Sequence, residues 1–247
     1  MYVLLKYGLC NRLRTIVGFW YLAEKYNKRI IFHWDDDEHC NGKFTDIFES
    51  IDCENCELVD DIQVPIVYLF IGQNVIRKII QQFTSYFIDE ECGNVDVTNE
   101  DIENIQLEFY QRFIPLFYIQ YNVNCFINTH FPDMDFAAMH VRRTDHVEVA
   151  KRNNAYTSFD EFDEFVKRNN RKIFLLTDCE DVQKRYPYCI VYDTIIPSKN
   201  LRQTSLENAL IDILIASKAK YFKGSGYSSF TGIINTYRKI LEKIKNE

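Results

Sequence analysis

Two adjacent arginines, Arg142 and Arg143, follow His140 and Val141 where the apolar run Phe136-Ala137-Ala138-Met139 ends. Arginine carries a planar, permanently charged fork of N–H donors that matches phosphate oxygens. An apolar run of this length in an α/β chain reads as a buried strand, and ligands bind at the carboxyl ends of such strands. The segment therefore predicts a pocket for an anionic, phosphorylated ligand. The competing reading is a surface salt-bridge cluster with Asp145 and Glu148. Other predicted strand ends also carry polar groups: Asn11-Arg12, Thr177-Asp178, and Gly224 to Ser229. In a parallel sheet such ends share one edge, which favours the pocket.

Apolar spacing predicts the elements that must position these groups. A strand over 2–7, a turn at 8–12, a helix over 11–26 and a strand over 30–34 form a β-α-β unit. It is short enough for a parallel sheet with a right-handed crossover. Its turn places Gly8, Asn11 and Arg12 at a helix N-terminus, where free N–H groups and the helix dipole attract phosphate. The three glycines of a dinucleotide fingerprint are missing. Asp35-Asp36-Asp37 stands where a ribose-binding carboxylate would, though an acidic run is more often a solvated loop. Further on, 44–50 predicts a short helix, 64–70 a strand, and 75–87 and 100–117 helices, the last ending near Pro115. From Phe136 the α/β alternation is regular, with strands over 136–141, 173–176, 189–192 and 220–223. Between and after them come a helix opening on the Ser158–Glu161 capping pattern and helices over 180–186, 204–217 and 229–245.

The chain has 247 residues, 47% hydrophobic and 15% aromatic, enough for one large domain or two small ones with a real core. A net charge of −7 argues against a nucleic-acid partner but leaves room for one local basic pocket. No apolar run approaches the roughly 18 residues of a membrane span, and the opening strand lacks the layout of a signal peptide. The expected location is cytoplasmic. Of eight cysteines, only Cys53-Glu54-Asn55-Cys56 has metal-like or redox-like spacing, and a structural zinc site would want a second pair. Reduced thiols and no metal are expected.

The polar strand ends resemble motifs of the fucosyltransferase superfamily, which includes the α1,6-, α1,2- and protein O-fucosyltransferases. His140-Val141-Arg142-Arg143-Thr144-Asp145 matches the first motif of the α1,6 branch. Phe174-Leu175-Leu176-Thr177-Asp178 is similar to the second, with Cys179 in place of its second acid. Asp212 to Phe222, followed by Ser228-Ser229-Phe230, is similar to the third. Gly8-Leu9-Cys10-Asn11-Arg12-Leu13 is similar to the N-terminal element, with Cys10 for its second glycine. The resemblance covers the first 34 residues and 136–235, and the middle hundred do not align.

The resemblance implies an α/β, GT-B-like architecture of two facing Rossmann-like lobes with parallel sheets, here 1–132 on the acceptor side and 133–247 for the nucleotide sugar. It implies a GDP-sugar donor, GDP-fucose, as substrate, no metal or other cofactor, and a glycan or glycosylated acceptor. Arg142 would grip the β-phosphate, and Arg143 would support it or order the loop. His140 and Asp212 would contact the nucleotide, and Asp178 would help set the guanine-side pocket. Ser228, Ser229 and Phe230 would meet the phosphates at a helix start, and Asn11 and Arg12 would reach the diphosphate or sugar across the cleft. The chemistry would be inversion at the anomeric carbon through an oxocarbenium-like transition state. Glu148, about two positions out of register with the family's glutamate, is the candidate base, and Asp145 is its rival. Two alternatives stand beside this reading: a transferase using another nucleotide sugar, and a non-catalytic nucleotide- or glycan-binding domain.

Overall fold

Both α/β rhythms of the sequence become parallel sheets. The computed structural model describes every residue except 35, 38, 52, 60–73, 89–94, 146, 194–204 and 247. The strand expected over 64–70 and Asp35 lie outside the described residues. The chain divides into two compact units, Met1–Pro115 and Leu116–Glu247.

In the first unit, β1 (Tyr2–Leu5), α1 (Leu9–Tyr26), β2 (Ile30–Trp34) and β3 (Cys56–Val59) build a sheet of order β1-β2-β3. Both strand pairs are parallel, with Tyr2 beside Ile31 and Ile30 beside Cys56. β1 stops at Leu5, before the expected end at 7, because Tyr7 adopts a left-handed backbone (φ 69°) that turns the chain into α1. Leu13, Ile16, Val17, Trp20 and Leu22 of α1 are all buried, as their helical spacing requires. Asn27, left-handed at φ 51°, ends the helix while its neighbour Lys28 donates its N–H to the Ala23 carbonyl. α2 (Val75–Ile88) packs against α1 at Gly18, where a Cβ would stand 2.9 Å from Ile79 Cδ1.

Two expectations are corrected in this region. The helix expected over 44–50 is only a 3-10 turn, Phe44–Asp46, because Phe48 forms a bridge to Pro115 and Glu49 donates its N–H to the Ile114 carbonyl at 2.9 Å. The helix expected over 100–117 ends early, as α3 (Asn99–Tyr110), opened by a Thr98–Asp101 capping box, and a further helix, α4 (Phe117–His130), follows Pro115. Pro115 lacks an N–H and disfavours helix in the residue before it, so the chain breaks there. The Cys53–Cys56 pair leads into a strand: Cys56 opens β3, and burial, then its hydrogen bond with Cys53, push its thiol pKa far up. A thiol so protonated is a structural group.

The second unit contains α4, β4 (Ala137–Val141), α5 (Val147–Arg152), α6 (Phe159–Arg168), β5 (Ile173–Thr177) and α7 (Glu180–Arg185). It closes with α8 (Leu206–Ser217), β6 (Tyr221–Gly224) and α9 (Ser229–Asn246). The sheet order is β5-β4-β6, all parallel, with Ala137 beside both Ile173 and Tyr221. Every residue of the central strand β4 is buried. Its inward side joins Phe162, Ile173, Leu175, Val182 and Tyr186 in one apolar cluster. α4 buries Ile119, Val123 and Ile127 and packs against α8, so 116–132 goes with this unit and the division falls before 132/133. The strand expected over 189–192 is reduced to one parallel bridge between Ile190 and Phe174. No described helix is long and apolar enough to cross a membrane.

Phe19 is fully buried, edge-to-face with Phe83 at 5.1 Å. Phe19→Ala is expected to cost the first unit about 3–5 kcal/mol, read as a lower urea midpoint of its unfolding transition.

Candidate functional site

Because β4, β5 and β6 run parallel, their carboxyl ends deliver Arg142, Asp178 and Ser225 to one edge of the second sheet. The backbone there is tied across strands. Arg142 donates its N–H to Ser225 Oγ at 2.9 Å, and Ser225 donates both its N–H and its hydroxyl to the His140 carbonyl, at 2.9 and 3.1 Å. The Arg142 guanidinium donates from Nη2 to Asp145 Oδ1 at 2.6 Å and approaches Asp178 Oδ2 to 3.7 Å through Nε. That Nε is buried without a hydrogen-bond partner, the kind of orphaned donor that marks a site meant for something more.

Arg143 goes elsewhere. It donates to the Arg142 carbonyl at 3.1 Å and the Thr157 carbonyl at 2.8 Å. Its guanidinium carbon lies 4.4 Å from the Phe159 ring centroid, 5.2 Å from Tyr156 and 5.5 Å from Phe162. Cation–π attraction and two carbonyls thus lock it under the loop. Asp178 accepts the Arg143 N–H at 2.8 Å and the Thr144 hydroxyl at 2.5 Å. Its carboxylate caps the turn that carries Arg142.

The β6–α9 turn completes the edge. His140 is buried, with Nδ1 2.8 Å from Thr231 Oγ1 and its ring 4.8 Å from that of Phe230. Gly224 makes room for this: a Cβ there would lie 2.2 Å from Thr231 Cγ2. Gly226 donates its N–H to Thr157 Oγ1 at 2.9 Å and passes the Ala155 carbonyl so closely that a Cβ would sit 2.0 Å from its oxygen. Tyr227 is left-handed (φ 60°), a local strain of about 1–3 kcal/mol. It presents Ser228 at the head of α9, where the Ser228 carbonyl accepts the Gly232 N–H. The Ser228 hydroxyl is buried and bonded to nothing among the described residues. A serine at a helix start usually caps it, and this one leaves its hydroxyl unspent beside the head of an 18-residue helix.

Compared with solved structures, the whole chain aligns with enzymes that transfer fucose. A NodZ α1,6-fucosyltransferase soaked with GDP-fucose matches at TM-score 0.61 and 15% identity, over 96% of this chain and 92% of the other. NodZ from Bradyrhizobium matches at TM-score 0.56 and 14% identity, over 95% and 91%. POFUT1 in complex with GDP-fucose matches at TM-score 0.59 and 12% identity, over 96% and 94%. The fold is that of the fucosyltransferases. No protein-family model and no curated protein sequence matches the chain.

Within this fucosyltransferase fold, Glu148 is paired away from the arginine edge while Asp145 belongs to it. Glu148 lies in the first turn of α5, exposed and bonded to Lys151 at 2.9 Å, and that bond lowers its pKa. A general base working near neutral pH wants the opposite shift. Asp145 is the carboxylate already against Arg142. Asp212 lies on α8, partly open by surface area, yet the protein packed around it raises its pKa well above the carboxylate range, with the charge of Asp193 adding to the effect. No cation pairs with it among the described residues.

Asn11 and Arg12 belong to the first unit. Arg12 is fully buried, donating from Nε to the Tyr7 carbonyl at 2.7 Å, with Nη2 3.0 Å from Asp37 Oδ1 and the guanidinium 5.0 Å from the Trp34 ring. It stabilises the left-handed turn at Tyr7 and spends its charge inside the unit. Burial lowers its pKa, against Cys40 and Asp37, which raise it. Asn11 is half-buried at the head of α1, its Oδ1 without a hydrogen bond, behind a Gly8 that offers no side-chain cap. The described residues contain no group of three His, Cys, Asp or Glu that could hold a metal ion. Sequence reasoning singled out none of Ser225, Thr157 and Thr231 as site residues, and Asp37, weighed there as a ribose-binding carboxylate, is paired with Arg12.

Two outcomes follow from this geometry. Gly226→Ala is expected to lose about 1–3 kcal/mol to the clash with Ala155, seen as a lower Tm. Asp212 has a folded pKa above its unfolded one, so the native state holds a proton that the unfolded chain releases, and stability falls as pH rises from the unfolded value through the folded one. Asp212→Asn is therefore expected to raise Tm at pH 7 and to flatten that decline between acid and neutral pH; an equal decline in the variant would contradict the assignment.

Proposed function

We propose that this protein is an inverting glycosyltransferase that moves fucose from GDP-fucose to a hydroxyl of a glycan acceptor. One observation carries the reading: Arg142 Nε and Ser228 Oγ, both buried and both without hydrogen-bond partners, lie on loops leaving neighbouring parallel strands. The fold shared with GDP-fucose-bound structures supports it.

In the proposed reaction the acceptor oxygen attacks the anomeric carbon from the face opposite the diphosphate. The carbon–oxygen bond to the β-phosphate breaks, and its electron pair leaves with GDP. Arg142 stabilises the charge that grows on the leaving phosphate, as preorganised donors do in a water-poor site. Ser228 Oγ, Ser229 and the N-terminus of α9 add donors and a favourable dipole. His140 and Phe230, tilted 30° to each other with centroids 4.8 Å apart, are assigned to the nucleotide side. Arg143 and Asp178 hold the loop and do not touch the donor. Of the two candidate bases, Asp145 is taken over Glu148, because it already stands beside Arg142. In the first unit Arg12 supports the turn at Tyr7.

A second reading has its own observation. Glu148 is exposed and paired with Lys151, and Asp145 is paired with Arg142, so neither described candidate is a ready proton acceptor. A GDP-binding domain without transfer activity fits that arrangement.

Isothermal titration with GDP, GDP-fucose, UDP and ADP, each with and without EDTA, tests the donor. The reading expects selective, EDTA-resistant binding of GDP and GDP-fucose; a UDP preference would redirect it to another nucleotide sugar. Tight GDP binding with neither donor hydrolysis nor transfer would favour the non-catalytic domain. Arg142→Ala should weaken GDP binding about 10- to 100-fold, the worth of a charged hydrogen bond to phosphate. Arg142→Lys should not restore it, since an ammonium cannot reproduce the fork.

A further inference from the structure

The arginine edge is assembled from three segments that are remote in sequence: the loop after β4, the α5–α6 connection, and the β6–α9 turn. Two hydroxyls join them. Ser225 Oγ accepts the Arg142 N–H at 2.9 Å and donates to the His140 carbonyl at 3.1 Å, so one buried side chain fixes the last residue pair before the ligand edge. Thr157 Oγ1 accepts the Gly226 N–H at 2.9 Å, while the Thr157 carbonyl accepts Arg143 Nη2 at 2.8 Å. Both residues are at least nine-tenths buried. We infer that Ser225 and Thr157 are positioning residues for the phosphate-binding edge: Ser225 sets where Arg142 leaves β4, and Thr157 sets where Ser228 arrives relative to it.

The physical case rests on what else could hold these loops. The Arg142 and Gly226 amides would be part-buried donors without acceptors if the hydroxyls were removed, and such donors rotate towards any water they can reach. A guanidinium held by a shifted backbone misses a bidentate geometry that tolerates little displacement. Arg143, clamped by three rings and two carbonyls, would stay in place and keep the loop folded. Loss of either hydroxyl should therefore move the site more than it loosens the fold. This inference rests on the proposed GDP site, and its test separates the two.

The variants are Ser225→Ala, Thr157→Val and Thr157→Ser, the last keeping the hydroxyl. Amide hydrogen exchange, measured without any nucleotide, reads the geometry alone. Exchange at Arg142 should accelerate at least tenfold in Ser225→Ala, and exchange at Gly226 should do so in Thr157→Val but not in Thr157→Ser. Titration then reads the consequence. GDP binding should weaken about five- to tenfold in Ser225→Ala and Thr157→Val, guanosine binding should stay at the wild-type value, and Thr157→Ser should recover GDP binding. In an Arg142→Ala background Ser225→Ala should not weaken GDP binding further, and in a Ser228→Ala background Thr157→Val should not. Unchanged amide exchange, or equal loss of GDP and guanosine binding with a matching fall in Tm, would overturn the inference. Wild-type protein that binds no GDP while the exchange pattern holds would instead overturn the proposed function and leave the loop anchoring intact.

Discussion

Everything at the candidate site depends on β4 lying between β5 and β6 in parallel register. Parallel pairing brings three carboxyl ends to one edge, and the complete burial of β4 fixes that register because every side chain has a packed partner. From that constraint the rest follows in order. Val141 opposite Thr177 puts Asp178 under the Arg142–Arg143 turn, and His140 opposite Gly224 puts Ser225 against the Arg142 amide. The two adjacent arginines then divide the labour. Each keeps a buried Nε without a hydrogen-bond partner, but Arg142 pairs with carboxylates while Arg143 is held by two carbonyls and the aromatic rings beneath it.

A similar economy appears in the first unit, with a different outcome. A left-handed residue, Tyr7, ends β1 just as Tyr227 follows β6, and a long helix begins within a few residues of each. In the first unit the adjacent arginine, Arg12, is buried and neutralised by Asp37. In the second, Arg142 lies near two carboxylates, yet one of its donors has no hydrogen-bond partner. Burial of an arginine with its own counter-ion is a structural use, and an arginine with an open donor is available for a ligand.

Much of the fold was legible because it rests on periodicity. The stripe of α1, the apolar run of β4 and the Ser158–Glu161 capping box each have a single physical meaning, and each is present. β3 was not legible, since Cys56 to Val59 is four residues long and begins inside a motif with metal-like spacing. α4 follows Pro115, and its helical stripe Ile119, Val123 and Ile127 is blurred by the exposed aromatics Phe117, Tyr118 and Tyr121. At the site, Arg142 was readable from residue type and strand-end position. The positions of Arg143 and Arg12 were not, because whether a guanidinium faces a ligand, a ring or a carboxylate is decided by tertiary neighbours such as Phe159 and Asp37. Thr157 carries no signal of its own beyond preceding a helix cap.

A crystal structure of the protein with GDP tests the central claim most directly. The account predicts the β-phosphate within hydrogen-bonding distance of the Arg142 guanidinium and of Ser228 Oγ, with the Arg143 guanidinium still stacked on Phe159. Phosphate bound elsewhere, or Arg143 withdrawn from its rings to meet it while Arg142 stays with Asp145, would contradict it.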